Sequence, residues 1–409
     1  MTPPDSGPGR DPGLTRPLRP GSRYGGRFVQ AGLVSLLAWG LLRLLAPGPA
    51  IPWTPEMLDA AGKMQEAMST VARFCREAGI PIEPLADPNG TCLVGPEMGE
   101  LFTTLGQVEA KRTTLVPDMA GLMVHLLQEA GVSRGDRVAV GASGSFPALM
   151  IATVVAVEAL GAHPVTVLSL GASSFGATRL DFHLLHLHQL LRAAGVFSAP
   201  AAAVSLGGSG DAGLQFDPEV RDRLVRDVEE SGLPLPAEPD LASSVARRME
   251  LYRGPAPAAD PGAASSQGTE TEPGEGAVVR GQTPPSRPAA FVNIGGSDTN
   301  MGHSPRVLTL PPGLVGDVRL PPEDERGVLY EMLARGVPVI HLLYIRGLAM
   351  RFGLPWDPIP LPAPGSISIR DESRGKGPVF WLLTVAYLGA LVLVIRGGRR
   401  REGEPGRRP

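Results

Sequence analysis

The sequence predicts an α/β protein: an open, mostly parallel, Rossmann-like sheet of βαβ units, flanked by an N-terminal and a C-terminal transmembrane helix. Three observations carry this reading. The first is Gly135 to Gly176, where Arg137 to Val140 is a short apolar run rich in β-branched residues and Gly141 to Ser145 is small and polar. Pro147 to Leu160 is then apolar over helical length, and Pro164 to Leu168 is a second strand of buried type. The second is that apolar strands empty into small-residue loops: Gly141 to Ser145, Gly171 to Gly176 and, after Ala290 to Ile294, Gly295 to Gly302. In open parallel sheets ligands bind outside the carboxyl ends of the strands, so these loops are placed to line one crevice. Tight βα turns use the same residues when nothing binds there. The third is the pair of apolar stretches at 28–46 and 378–395, each about the length that crosses a bilayer.

Along the chain, residues 1–27 are rich in Pro, Gly and Arg and read as a disordered cytoplasmic tail. Gln30 and Arg43 interrupt the first span, whereas 378–395 carries no charge. Arg10, Arg16, Arg19, Arg23 and Arg27 precede the first span, and no Lys or Arg follows it until Lys63. Arg396, Arg399, Arg400 and Arg401 follow the second span, against Arg370, Arg374 and Lys376 before it. The positive-inside bias therefore places both termini in the cytoplasm and the domain at 53–364 outside. A cleaved signal peptide is the rival reading of 28–46; Pro47, Pro49 and Pro52 and the lack of a small-x-small site favour an uncleaved anchor.

Between the spans, Met57, Met64, Met68, Val71 and Cys75 lay one apolar stripe along a helix from Pro55 to Ala78, ended by Gly79. Further helices are expected at Pro117 to Ala130, Asp217 to Ser231 and Asp240 to Tyr252. Residues 254–288 lack large apolar side chains and read as a disordered insertion that cannot offset its ordering entropy by burial. Glu323 to Arg335 is expected as a helix, Pro338 to Leu343 as a strand and Tyr344 to Phe352 as a short helix. Leu354 to Pro364 is expected as an extended segment, 365–377 as a linker and 396–409 as a basic cytoplasmic tail.

The chain has 409 residues, 43% of them hydrophobic, which suffices for one large core or two modest ones. A formal charge of −3 argues against an electrostatic nucleic-acid binder. Cys75 and Cys92 are the two cysteines. Outside the membrane they can be bridged, at on the order of 3 kcal/mol, and two buried thiols are an equally simple reading.

For chemistry, Gly141-Ala-Ser143-Gly-Ser145 comes within one position of the G-x-S-x-G nucleophile elbow, Ser145 standing where the last glycine belongs. Asp298 with His303 or His341 completes the chain order of a serine hydrolase, with Ser143 as nucleophile. The Ser-Gly-Ser turn also resembles the phosphosugar-binding domains of sugar isomerases, where loop hydroxyls and a helix N-terminus hold a phosphate. His183, His186 and His188 lack an HExxH pattern and read as part of a partly exposed helix whose Leu184, Leu187 and Leu191 pack inward, so no metal and no cofactor is assigned. Lys111 and Arg112, ahead of a helix opened by Pro117, read either as an ordinary surface pair or as a cationic pair suited to a carboxylate.

Ala110 to Val132, GDRVAVGASGSFPALMIA, SLGASSFGA and FVNIGGSDTNMG together resemble the uncharacterised membrane component of bacterial poly-γ-glutamate systems, over Pro55 to Pro364 without the insertion. The resemblance implies participation in making, exporting or processing that anionic polymer, beside other proteins of such a system, and it carries no assigned active site. Lys111, Arg112, Thr113, Ser143, Ser145, Ser173, Ser174, Asn293, Gly295, Gly296 and Asp298 fall in the matching runs. The ligand-binding set expected for the crevice is Lys111, Arg112, Ser143, Gly144, Ser145, Ser173, Ser174, Gly295, Gly296 and Ser297. Three classes of function follow: an accessory or export component, a hydrolase acting on the polymer, and a phosphate-ligand binder.

Overall fold

The computed structural model describes residues 22–45, 48–236, 238, 240–253, 287–373 and 378–397. They form two compact units, Ala50–Glu372 and a unit made from the two ends of the chain. In chain order the strands of the first unit are β1 (Phe102–Thr104), β2 (Arg137–Ser143), β3 (His163–Ser169), β4 (Ala172–Ser173), β5 (Ala201–Ser205), β6 (Ala290–Ile294), β7 (Gly313–Leu314) and β8 (Val339–Leu342). One sheet runs β5-β3-β2-β6-β8-β7, parallel throughout except for the antiparallel edge strand β7, while β1 and β4 pair in a small sheet of their own.

Alternation along the strands builds a layer of helices on each face. Val138, Val140 and Ala142 of β2 join Leu168, Val204, Ile294 and Ile340 in the larger core, packed under α2 (Pro55–Ala78), α4 (Asp118–Glu129), α5 (Pro147–Ala159) and α6 (Leu184–Ala193). Ala139, Val167, Ala203, Phe291 and Val339 point the other way, against α8 (Leu241–Arg253) and α10 (Val328–Ala334). From β2 the chain winds through α5, β3 and α6 to β5, then crosses to the opposite side of β2 to lay down β6 and β8. The winding direction therefore reverses between β2 and β6, and the two loops that leave those strands flank a crevice.

Local chemistry fixes the ends of these elements. Thr54 Oγ1 accepts the Met57 N–H at 3.3 Å to open α2, and Gly79, at φ 71°, closes it in the left-handed region that a side chain would strain. Beyond the helix, Cys75 is bridged to Cys92. The helix expected from Glu323 to Arg335 is instead a turn of 3-10 helix at Glu323–Glu325 followed by α10. The break falls at Gly327, whose backbone lies so close to that of Gly302 that a Cβ on either would collide with the other.

The segment after Leu354 is no linker. Asp118 accepts the N–H groups of Gly365 at 2.6 Å and Ile367 at 2.9 Å, Trp53 Nε1 donates to the Ile367 carbonyl at 3.0 Å, and Ile369 is fully buried. The folded domain thus continues past Pro364 to about residue 372, because a buried carboxylate organises the turn that the prolines left open.

In the terminal unit, α1 (Ser22–Leu45) packs on α12 (Pro378–Gly397), with Ser35 Oγ 2.9 Å from Tyr387 Oη. Helix α1 starts within the stretch expected to be a disordered tail. Side chains are described over 29–40 and 380–393, and among them Leu36, Leu37, Trp39, Trp381, Leu382 and Val385 are exposed. Among the described residues no helix is long and apolar enough to cross a membrane. The expectations for residues 1–21, 254–286 and 398–409 lie outside the described residues.

Candidate functional site

Loops leaving β2, β3, β5 and β6 converge at the carboxyl ends of the strands around a cavity of about 450 Å³. Ser143, Ser145, Phe146, Ser169, Gly171, Ser173, Gly207, Gly208, Gly295, Gly296, Ser297 and Asp298 line it from these loops. Thr103 to Gln107, Ala110 and Lys111 line it from β1 and α3 (Val108–Thr113), and Tyr344, Arg346 and Trp356 from the far wall. Of the expected binding residues, Lys111, Ser143, Ser145, Ser173, Gly295, Gly296 and Ser297 are brought together. Arg112, Gly144 and Ser174 are not among the lining residues.

The neighbours Lys111 and Arg112 go separate ways. The Arg112 guanidinium is held by both carboxylate oxygens of Asp357, at 2.5 and 2.7 Å, and donates to the Leu85 carbonyl. It is spent on structure. Lys111 is 2% exposed; its Nζ donates to the Ser145 carbonyl and, at 2.6 Å, to Ser173 Oγ, and lies 3.8 Å from the centre of the Phe146 ring. Among the described residues no carboxylate pairs with it. Burial alone pushes its ammonium down from 10.5 to about 7.

Two of the backbone amides in the turn before α5 are engaged within the fold. The Gly144 N–H donates to the Ser169 carbonyl at 2.9 Å and the Phe146 N–H to the Ser143 carbonyl at 3.3 Å; the Gly295 N–H is likewise taken by Leu342.

Ser143 has a particular setting. Gly295, at φ 78°, crosses so close over it that a Cβ there would collide with Ser143 Oγ, and that oxygen is buried without a hydrogen-bond partner. The expected triad is not assembled around it. Asp298 Oδ2 accepts the Gly210 N–H at 3.1 Å, His303 is exposed and does not line the crevice, and the His341 ring is buried 3.1 Å from the Asn293 amide. Burial holds the His341 imidazole down at about 4.

Beneath the floor lies a polar network that local sequence patterns do not reveal. Arg248 is 2% exposed and ion-paired with Asp211; it also donates to Ser169 Oγ at 2.9 Å, Ser205 Oγ at 2.8 Å and Asn300 Oδ1 at 2.7 Å. Thr299 Oγ1 donates to the same Asp211 at 3.1 Å. Gly141 in β2 makes room for this network, since a Cβ there would strike the Asn300 amide. The loop carrying Asp211, Gly207-Gly-Ser-Gly-Asp211 after β5, is a fourth small-residue loop of the same pattern as the other three, a signal that marks the loop but not the partners of Asp211. Arg346 and Trp356, with the guanidinium 5.7 Å from the ring centre, come from segments with no motif.

Away from the crevice, His183 and His186 stack 3.9 Å apart and His183 Nε2 is 3.2 Å from Asp227, while Arg223 bonds the same carboxylate at 2.9 Å. His183 and His188 are both buried, so this face of α6 is less exposed than expected, and Leu184, Leu187 and Leu191 are buried as foreseen. His183, His186 and Asp227 stand close enough to share a metal ion, a grouping invisible in the sequence because Asp227 comes from another helix.

Fold and site together define an α/β protein with a ligand-sized crevice at the switch point of a parallel sheet. Comparison with protein-family models, with curated proteins and with solved structures gives no match.

Proposed function

We propose that the chain is a membrane-anchored accessory component of poly-γ-glutamate synthesis or export, whose exterior α/β domain receives the anionic polymer or its precursor in the switch-point crevice. The observation that carries this reading is the charge of the crevice wall. Arg346 stands exposed at the mouth, and among the described residues it is not paired with a carboxylate. Asp298 is the one acidic group among the lining residues, and its carboxylate is engaged by the Gly210 amide. A polymer that exposes one carboxylate per residue matches such a wall. The sequence resemblance supplies the identity of that polymer. Anchoring is supported by the apolar stretches 28–46 and 378–395, by their arginine flanks and by the exposed Leu and Trp side chains of the paired terminal helices. The Cys75–Cys92 bridge fits an oxidising exterior.

Isothermal titration of the full-length chain in detergent micelles with poly-γ-glutamate tests the reading. Binding is expected, and Arg346→Glu should weaken it by about tenfold or more, the scale of one charge-assisted hydrogen bond of about 1.5–3 kcal/mol. Absence of binding, or indifference to Arg346→Glu, would remove the crevice from this role.

A further inference from the structure

The most unusual pairing in the crevice is not at Ser143, where the sequence points, but at Ser173. Lys111 Nζ lies 2.6 Å from Ser173 Oγ, at the distance of a base from a hydroxyl proton. The amine is held in place by a second contact to the Ser145 carbonyl, and the Phe146 ring covers one side of it. The Ser173 N–H donates to Ser145 Oγ at 3.0 Å, which locks the nucleophile's own backbone to the loop that orients the base. Ser173 and Gly106 both line the cavity, and a Cβ on Gly106 would come within 3.1 Å of Ser173 Oγ, so the glycine keeps the approach to that oxygen open. By contrast, Ser143 Oγ has no base beside it and is covered by Gly295.

We propose that Ser173 and Lys111 form a serine–lysine dyad that cleaves amide bonds in acidic substrates, with Ser173 Oγ as nucleophile and Lys111 Nζ as general base. This rests on the crevice being the site where the anionic substrate binds. Ser173 Oγ attacks the amide carbonyl carbon while its proton passes to the neutral Lys111 amine. The tetrahedral intermediate then collapses, the C–N bond breaks, and the Lys111 ammonium returns the proton to the leaving amine. Water attacks the resulting Ser173 ester, giving one proton to Lys111 Nζ; the C–O bond breaks, Ser173 Oγ recovers a proton from Lys111 and the carboxylic acid leaves. Arg346 at the mouth is placed to hold a substrate carboxylate during both halves.

A lysine works as such a base only when it is neutral, and burial brings Lys111 down to about 7. The other titratable or charged groups that line the crevice are Asp298, Tyr344 and Arg346; on its own helix stand Glu109 and Arg112, the latter paired with Asp357.

The test is labelling of the full-length chain in detergent micelles by a fluorophosphonate, with the modified residue located by peptide mass mapping. Covalent labelling at Ser173 is expected, lost in Ser173→Ala and slowed about 100-fold or more in Lys111→Met. The wild-type rate should climb as pH is raised through neutrality. No labelling, labelling at another serine, or a folded Lys111→Met chain labelled at the wild-type rate would overturn the dyad. Should Lys111→Met fail to fold, a wild-type rate that stays flat from pH 6 to pH 8 would overturn it instead. Titration of the same preparation with poly-γ-glutamate separates the two readings: binding without labelling overturns the dyad alone, and labelling without binding overturns the polymer assignment alone.

Discussion

Two buried cations lie at the crevice, and they are held differently. Arg248 is neutralised by Asp211 and has hydroxyl or amide acceptors for its other N–H groups, so its desolvation is compensated and it ties β3, β5 and the turn after β6 together. Among the described residues Lys111 has acceptors but no counter-charge, so the desolvation of its charged form is left uncompensated. Its amine titrates near 7 when folded and near 10.5 when unfolded, so between those values the unfolded chain holds a proton that the folded chain lacks. Stability contributed at this site therefore rises with pH across that window, by up to about 1.4 kcal/mol per pH unit, and the full penalty is present below it. Lys111→Met, which keeps an unbranched side chain one atom shorter and removes the charge, should melt several degrees above wild type at pH 6, with the gap closing toward pH 10. Scanning calorimetry at the two pH values checks this; an equal or lower melting point at pH 6 would mean that the amine is paired or solvated.

The last turn of α2 is joined to the loop that follows the helix by the Cys75–Cys92 bridge, across 17 positions of chain. Closing a loop of that size removes denatured-state entropy on the order of 3 kcal/mol, so Cys75→Ala with Cys92→Ala should lower unfolding stability by about that amount. Denaturant titration of the oxidised and the double-variant chains measures it, and equal midpoints would show that the loop is held by packing alone. Elements of this kind differ in how far the sequence reveals them. Helix α2 was legible to the residue because its methionine stripe, Pro55 and Gly79 all act within one turn of the chain. The β2–α5–β3 unit was legible because strands buried on both faces are apolar throughout. The fate of Arg112, the seating of the segment after Leu354 and the Arg248 network were not, since each depends on a partner far away in sequence: Asp357, Asp118 and Asp211. Ser173 was a candidate from its loop, and Lys111 from its charge, yet only the fold brings the two within hydrogen-bond distance.

At the scale of the whole chain, the α/β domain and the unit built from the chain ends distribute their apolar residues differently. The domain spends its apolar residues inward, on two cores that sandwich the sheet. The paired terminal helices do the reverse: Val29, Leu33, Leu36, Leu37 and Trp39 of α1 and Trp381, Leu382, Val385 and Leu393 of α12 lie on their outside. An exposed apolar surface of this kind marks an interaction face, and the anchoring proposed above would cover it with lipid. The polar groups of the pair behave consistently, because Ser35 and Tyr387 hydrogen-bond to each other and Ser35 and Thr384 also return to carbonyls one turn back on their own helices. Arginines lie on the outer sequence side of each apolar stretch, five before residue 28 and Arg396 and Arg399 to Arg401 after residue 395. If the chain is anchored as proposed, this bias puts both ends in the cytoplasm and the domain outside. Alkaline phosphatase, active only outside the cytoplasm, should accordingly be active when inserted after Ala50 and inactive when fused after Arg401. An inactive fusion after Ala50 would place the domain, its disulfide and its crevice on the cytoplasmic side, where an exported polymer would not meet them.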